Sequence, residues 1–293
     1  MPARMSKRRT ARPQPVAIVG SGNWGTSLAR ALVAAGNPPA EIIRRRSQPL
    51  AGTLRTVPIH TWAHTRLDAP VLWLCVPDAQ IAATAARLAV HFGDRPRRTL
   101  PCVFHSSGAL TSQELEPLRA LGCPVASVHP LMTFPPSARR RAVSLADVPF
   151  AVEGDARAGQ AAFRLIRQLG GHPFRLGPAQ KPLYHAFGAL ASPMLVGLLH
   201  ATALAGASAA GTPRQARQRM RPIVEQTVAN FFAHGASASF SGPIARGDSG
   251  TIAKHLHALR RHPELLNIYR ALAGFAVQKL PARNRKHLAS LLG

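Results

Sequence analysis

The sequence predicts an α/β sheet domain followed by an all-α domain. Short β-branched runs alternate with helical patterns from Val16 to Leu176. From Pro178 onward the helical patterns continue and no convincing strand interrupts them. The first strand run, Val16-Ala-Ile-Val19, leads straight into Gly20-x-Gly22-x-x-Gly25 and then into a helix. With 293 residues and 46 % apolar content, the chain can bury the cores of two domains. The reading places a basic tail at residues 1–14, the sheet domain at 15–176 and the helical domain at 177–293.

The strand–turn–helix context gives the glycines separate tasks. Gly20 permits the tight turn out of the strand, Gly22 lets a pyrophosphate approach the backbone, and Gly25 lets the helix lie close to the sheet. The helix start then offers free N–H groups and a positive dipole end to phosphates. This is the pattern of a Rossmann dinucleotide site, with Gly20, Ser21, Gly22, Asn23, Trp24 and Gly25 as cofactor-binding residues. Gly36-Asn-Pro-Pro39 stops the helix, and Glu41-Ile-Ile43 is the second strand. About twenty residues past the glycines, an NAD site places an acidic side chain on the ribose. Here stand Arg44, Arg45, Arg46 and Ser47. Guanidinium groups suit a 2′-phosphate, so Arg44, Arg45 and Ser47 are expected to hold one, and NADP(H) is favoured over NAD(H).

Val71-Leu-Trp-Leu-Cys-Val76 is a third buried strand, and its following loop crosses the cofactor in such a fold, making Val76 and Pro77 expected contacts. Asp78 reads as the start of the helix over 81–90. Cys102-Val-Phe-His105 and Val125-Ala-Ser-Val128 are the fourth and fifth strands. Strand C-termini line the ligand crevice of a doubly wound sheet. Ser106, Ser107 and His129 therefore point to where a nicotinamide and a substrate would meet. Phe150 to Glu153, a helix over 157–169 and a strand from Pro173 add a βαβ unit at the sheet edge.

In the helical half, Gly177-Pro178 is a good helix start. Lys181 and His185 follow on one helix face. A cation in a first helical turn opposes the dipole, and burial would lower its pKa and suit it to proton transfer. Lys181 and His185, with His129, are the expected catalytic residues. Residues 186–211 contain no Asp, Glu, Lys or Arg. Pro193 and several small polar residues argue for a helix buried in its domain or at a dimer interface, kinked at Pro193, rather than a membrane span. A helix ending at Gly235 precedes Gly242-Pro-x-x-Arg246-Gly-Asp248. Arg246 is expected to clamp an anionic substrate group beside Asp248, which is also a plausible helix N-cap.

Thirty-seven Lys and Arg stand against 12 Asp and Glu, a formal charge of +25. The cations are spread along the chain, aromatic residues make up 5 %, and no nucleic-acid motif accompanies them, so no specific nucleic-acid partner is expected. Cys75, Cys102 and Cys123 lack metal-ligand spacing and fit a reducing cytoplasm. No metal is expected. The basic start lacks an apolar core and does not read as a secretory signal.

Gly20-x-Gly-Asn-x-Gly25, Ser106-Ser-Gly108, His129-Pro-Leu-x-x-Phe134, Lys181-x-x-Tyr-His185 and Gly242-Pro-x-x-Arg-Gly-Asp248-x-x-Thr251 together resemble proteins that join a Rossmann-like domain to a DUF2520 domain. That family is similar to pyrroline-5-carboxylate reductases and β-hydroxyacid dehydrogenases. The resemblance implies a helical domain of the 6-phosphogluconate dehydrogenase C-terminal type, through which such proteins usually dimerise. Relatives tend to carry Asn where this chain has Pro193. The reading that follows is an NADP-dependent oxidoreductase, acting between the domains on the carbonyl or imine of a small anionic substrate. The alternative is a non-catalytic NADP-binding sensor or scaffold.

Overall fold

In the computed structural model, the described residues are 14–93, 95–136 and 143–293. The chain divides into two compact units, one ending at Ala189 and one beginning at Leu190. The basic tail expected at the N-terminus lies, through residue 13, outside the described residues.

The first unit is a twisted eight-stranded sheet with helices against it. Its strands are β1 (Val16–Val19), β2 (Glu41–Ile43), β3 (Ile59–His60), β4 (Val71–Leu74), β5 (Cys102–His105), β6 (Val125–Pro130), β7 (Pro149–Gly154) and β8 (His172–Arg175). They lie in the order β3-β2-β1-β4-β5-β6-β7-β8. All pairs are parallel except β6 with β7. The chain crosses from β3 at one edge back to β4 beside β1, which creates the topological switch point between β1 and β4.

The strands β1, β2, β4 and β5 are buried throughout, as parallel strands covered on both faces must be. One core packs Ile18, Trp73, Phe104 and Phe150 against α1 (Asn23–Ala34) and α4 (Ala156–Gln168). The other packs Val19, Leu72, Leu74 and Val103 against α2 (Ile81–Phe92) and α3 (Glu116–Leu121). The helix α5 (Lys181–Ala189) closes this unit in sequence.

The second unit is helical. A π-turn over Leu190–Met194 contains Pro193 and leads into α6 (Leu195–Ala209). Proline removes an N–H from the ladder, and the wider turn accommodates the loss. A tight corner follows, in which Thr212 and Gln215 cap each other and open α7 (Pro213–Ser239). Gly235, with φ +76°, breaks the helical geometry inside α7, so the expected helix end is an internal break. The remaining helices are α8 (Pro243–Arg246), α9 (Ser249–Leu259), α10 (Pro263–Lys279) and α11 (Arg285–Leu292). Ile252, Leu256, Ala273, Val277, Leu288 and Leu292 form their core.

The charge-free helix is not enclosed by its own domain as the sequence reading allowed. The helical run 178–209 is long and apolar enough to cross a membrane, yet only 11 % of its most apolar stretch is buried. Leu190, Met194, Val196, Ile223, Phe231, Phe232 and Phe275 are all exposed on the second unit.

Candidate functional site

Two cavities meet at the C-terminal edge of the sheet, where the loops after β1, β2, β4, β5 and β6 emerge. The larger, about 650 Å³, is lined by Gly20, Ser21, Gly22, Arg44, Arg45, Arg46, Trp62, Cys75, Val76, Pro77 and their neighbours. Gly20 has φ +103°, and a Cβ there would stand 2.5 Å from the Cys75 carbonyl. At Gly25 a Cβ would stand 2.1 Å from the Gly20 carbonyl, so helix and turn close on each other only without side chains. A Cβ on Gly22 would meet nothing within 4 Å, and Gly22 lines the cavity. No side chain caps α1, whose first amides stay available. Open glycine backbone, an uncapped helix start and three guanidinium groups in one cleft fit a dinucleotide phosphate chain.

Of the expected cofactor residues, Gly20, Ser21, Gly22, Arg44, Arg45, Val76 and Pro77 line this cleft. Arg46 lines it too, whereas Ser47 is exposed outside it. Arg44 also donates to the Gln48 carbonyl at 3.2 Å, which steadies the arginine loop. Gly25 acts in the turn itself. Asn23 reaches away to donate to the Phe134 carbonyl at 2.9 Å.

The smaller cavity, about 180 Å³, shares Cys75 and Val76 with the first. Trp24, Asp78, Ser106, His129, Pro130, Met132 and Phe134 complete it. Trp24 packs against Phe134 with ring centroids 4.7 Å apart. The indole N–H groups of Trp24 and Trp73 both donate to Ser106 Oγ at 2.7 Å. Ser106 thereby ties α1 to β4 while lining the cavity. Ser107 turns the other way and is buried. Its hydroxyl donates to Asp78 Oδ2 at 2.7 Å and accepts the amides of Ala109 and Leu110.

His129 at the end of β6 meets Tyr184 of α5, with Nδ1 and the phenol oxygen 2.9 Å apart. Burial holds the Tyr184 hydroxyl protonated, pushing its pKa up to about 12. Burial, with Lys181 and His185 nearby, lowers His129 to about 4. The phenol is both donor and acceptor, so this contact suits a neutral ring in either tautomer; with the phenol donating to Nδ1, the ring's own hydrogen sits on Nε2. Gly108 makes room for this ring. A Cβ on it would fall 2.9 Å from His129 Nε2 and 2.9 Å from His185 Cδ2. The structure thus brings His129, Tyr184 and His185 together around Gly108.

Lys181 is elsewhere. It is 1 % exposed and absent from both cavity walls. Its ammonium donates to Ser127 Oγ at 2.6 Å and to the Ser107 carbonyl at 3.1 Å. Burial lowers its pKa to about 8, against the pull of Glu153 and Asp78. Arg246 and Asp248 lie in the second unit. Arg246 is exposed at the end of α8, and Asp248 caps α9 by accepting the amide and hydroxyl of Thr251 at 3.0 and 2.7 Å. Those bonds hold the Asp248 carboxyl below its usual range. In the same unit His255 and Tyr269 pair at 3.0 Å.

The sequence reading passed over Asp78, Cys75, Phe134, Met132 and Trp62 as wall residues, and Tyr184 as the partner of His129. Asp78 and Cys75 were accessible to the rule that selected Ser106 and His129, because both follow the end of a central parallel strand. Phe134 and Tyr184 carry no such positional signal; they are brought in by the loop after β6 and by α5.

Comparison with known proteins agrees with this architecture. Residues 1–130 match the Rossmann-like domain family, and residues 148–275 match DUF2520, a domain of unknown function. No curated protein matches the sequence. Several solved structures share the fold. A Bacteroides fragilis protein proposed to be an NADP oxidoreductase aligns with TM-score 0.67 and 19 % identity, over 89 % of this chain and 96 % of that one. The pyrroline carboxylate reductase of Plasmodium falciparum, solved with NADP bound, aligns with TM-score 0.58 and 9 % identity, over 96 % and 98 %. A Myxococcus stipitatus imine reductase variant in complex with NAD+ aligns with TM-score 0.57 and 17 % identity, over 96 % and 99 %. The chain is therefore a Rossmann-like domain joined to a DUF2520 domain.

Proposed function

We propose that this protein is an NADP-dependent oxidoreductase that reduces the carbonyl or imine of a small molecule. The observation that carries the reading is the joining of two cavities through Cys75 and Val76: a glycine- and arginine-lined cleft beside a small aromatic one. The similarity in fold to an NADP-bound pyrroline carboxylate reductase and an NAD+-bound imine reductase supports it.

A nicotinamide cofactor, when bound, supplies or accepts a hydride. The chain's own residues bind, orient and hydrogen-bond. Gly20 to Gly22 and the first amides of α1 would hold the pyrophosphate, and Arg44 to Arg46 the 2′-phosphate. Absence of an acidic residue at the end of β2 favours NADP over NAD. His129 would donate from the Nε2 of a neutral ring to the oxygen or nitrogen that gains electrons, with Tyr184 fixing its tautomer. In this assignment Lys181 acts by positioning, since its amine is taken up by Ser107 and Ser127. The small cavity's walls contain no Lys or Arg among the described residues, so an anionic substrate finds no counter-charge there.

Nicotinamide fluorescence titration tests this reading. NADPH should bind about tenfold or more tightly than NADH, the worth of one charge-assisted contact. The Arg45→Ala/Arg46→Ala double variant should erase that preference. Equal affinities in the unaltered protein would refute the phosphate site, and no binding would refute the dinucleotide cleft. Binding without NADPH oxidation by any aldehyde, ketone or cyclic imine would favour the sensor reading.

The exposed apolar side chains of the second unit support a homodimer through that unit. Light scattering at micromolar concentration should give twice the chain mass of 31.3 kDa. A monomer at that concentration would overturn the dimer.

A further inference from the structure

The small cavity has one feature that its size and aromatic walls do not require, a carboxylate. Asp78 is the one carboxyl side chain in its wall among the described residues, and no Lys or Arg joins it there. Its carboxylate is held by design of the loop rather than by an ion pair. Ser107 Oγ donates to Oδ2 at 2.7 Å, and that hydroxyl is fixed in turn by accepting two backbone amides. No Lys, Arg or His lies within ion-pairing distance of Asp78 among the described residues. The nearest buried cation, Lys181, faces the Ser107 carbonyl and Ser127 instead. Trp24 and Phe134 line the same cavity, packed on each other and held by the bonds from the Trp24 indole to Ser106 and from Asn23 to the Phe134 backbone carbonyl.

An oriented carboxylate that shares a cavity wall with aromatic rings suits a small organic cation. The carboxylate accepts a charge-assisted hydrogen bond, and the ring faces attract the same positive charge. A carboxylate- or phosphate-bearing substrate would instead meet Asp78 as a like charge. We propose that the cavity takes a small protonated amine or iminium, with Asp78 as the group that recognises its N–H. This rests on the reductase reading above, of which it selects the imine branch and its amine product.

Piperidinium serves as the probe and cyclohexanol as an uncharged molecule of similar shape. Calorimetry on the full-length protein at pH 7, with and without NADP+, compares the unaltered chain with Asp78→Asn. Asparagine keeps an acceptor for Ser107 at an exposed position, so the fold is not at stake. Piperidinium affinity should fall about tenfold or more in Asp78→Asn, while cyclohexanol and NADP+ affinities stay unchanged. Equal piperidinium affinity in the two proteins, or piperidinium binding no tighter than cyclohexanol, would overturn the proposal. Loss of the reductase reading is separate: piperidinium binding through Asp78 in a protein that neither binds nor oxidises NADPH would refute that reading and leave this one standing. Equal reduction of 2-oxo acids by both proteins would do the reverse.

Discussion

Lys181 gives the sharpest test of how the site is built, because the structure buries a cation where the sequence suggested a proton donor. The perturbation is Lys181→Met, which keeps the length of the side chain and removes the charge. Lysine titrates near 10.5 when solvated, and burial brings Lys181 down to about 8. Between these values the unfolded chain holds a proton that the folded chain has released. Folding is then favoured by raising the pH, by about 1.4 kcal/mol per unit. From pH 7 to pH 10 Lys181 should add about 2–3 kcal/mol of stability that Lys181→Met lacks. At 1 % exposure, solvent does little to screen the effect. The cysteines and Tyr184, whose pKa values burial raises, oppose the trend at high pH, but they are common to both proteins. Urea unfolding at pH 7, 8, 9 and 10 measures the difference. All three tryptophans, Trp24, Trp62 and Trp73, lie in the first unit, so their fluorescence reports the unit that holds Lys181. A stability difference independent of pH would refute the burial of the amine. If such a flat profile came with lost turnover, Lys181 would return to the cavity as a proton donor.

Two other substitutions and one pH effect follow from the same geometry. Gly25→Ala should cost about 3 kcal/mol or more, because its methyl would lie 2.1 Å from a backbone oxygen; Gly22→Ala, with nothing within 4 Å, should leave urea stability within about 1 kcal/mol yet weaken NADPH binding about tenfold. Equal stability losses for the two would contradict the turn as described. His105, fully buried with Nε2 on the Thr111 carbonyl, and His129 are both lowered to about 4. The unfolded chain protonates them first as pH falls below about 6.5, so each should cost about 2 kcal/mol by pH 5. A His129→Gln variant that loses as much stability as the unaltered protein between pH 7 and pH 5 would contradict this.

Much of the fold was legible because its signals are local. Four apolar residues before Gly20, the glycine spacing and the Pro-rich stop after Gly36 each dictate backbone conformation within a few positions. The cap at Asp248 was legible for the same reason. Two-residue β3 is too short to carry a pattern, and the antiparallel return of β7 depends on pairing with β6 rather than on its own residues. Side-chain partnerships were less accessible still. Nothing near Ser106 announces that two indoles, 82 and 33 residues away, converge on its hydroxyl. Lys181 stood out for its place in a first helical turn, where burial would lower its pKa; the structure buries it, and its pKa falls to about 8. Its direction was not legible, because Ser107 and Ser127 are 74 and 54 residues distant.

The pair Ser106-Ser107 explains why the two cavities hold a common geometry. Successive residues leaving a strand face opposite ways. Ser106 turns toward Trp24 and Trp73 and so connects the helix that follows the glycine turn to the strand beside it. Ser107 turns toward Asp78, orienting the one carboxylate of the small cavity among the described residues. Its carbonyl accepts from both Ser127 Oγ and Lys181, which ties β6 and α5 to the same point. From β6 and α5 come His129 and Tyr184. One dipeptide therefore bears on the Trp24 wall, the carboxylate and the imidazole together. Gly108 next to it must lack a side chain, since His129 and His185 occupy the space a Cβ would need. The tripeptide Ser106-Ser107-Gly108 is short because each of its residues does a different job at one junction. Together the three touch groups on α1, β4, β6 and α5.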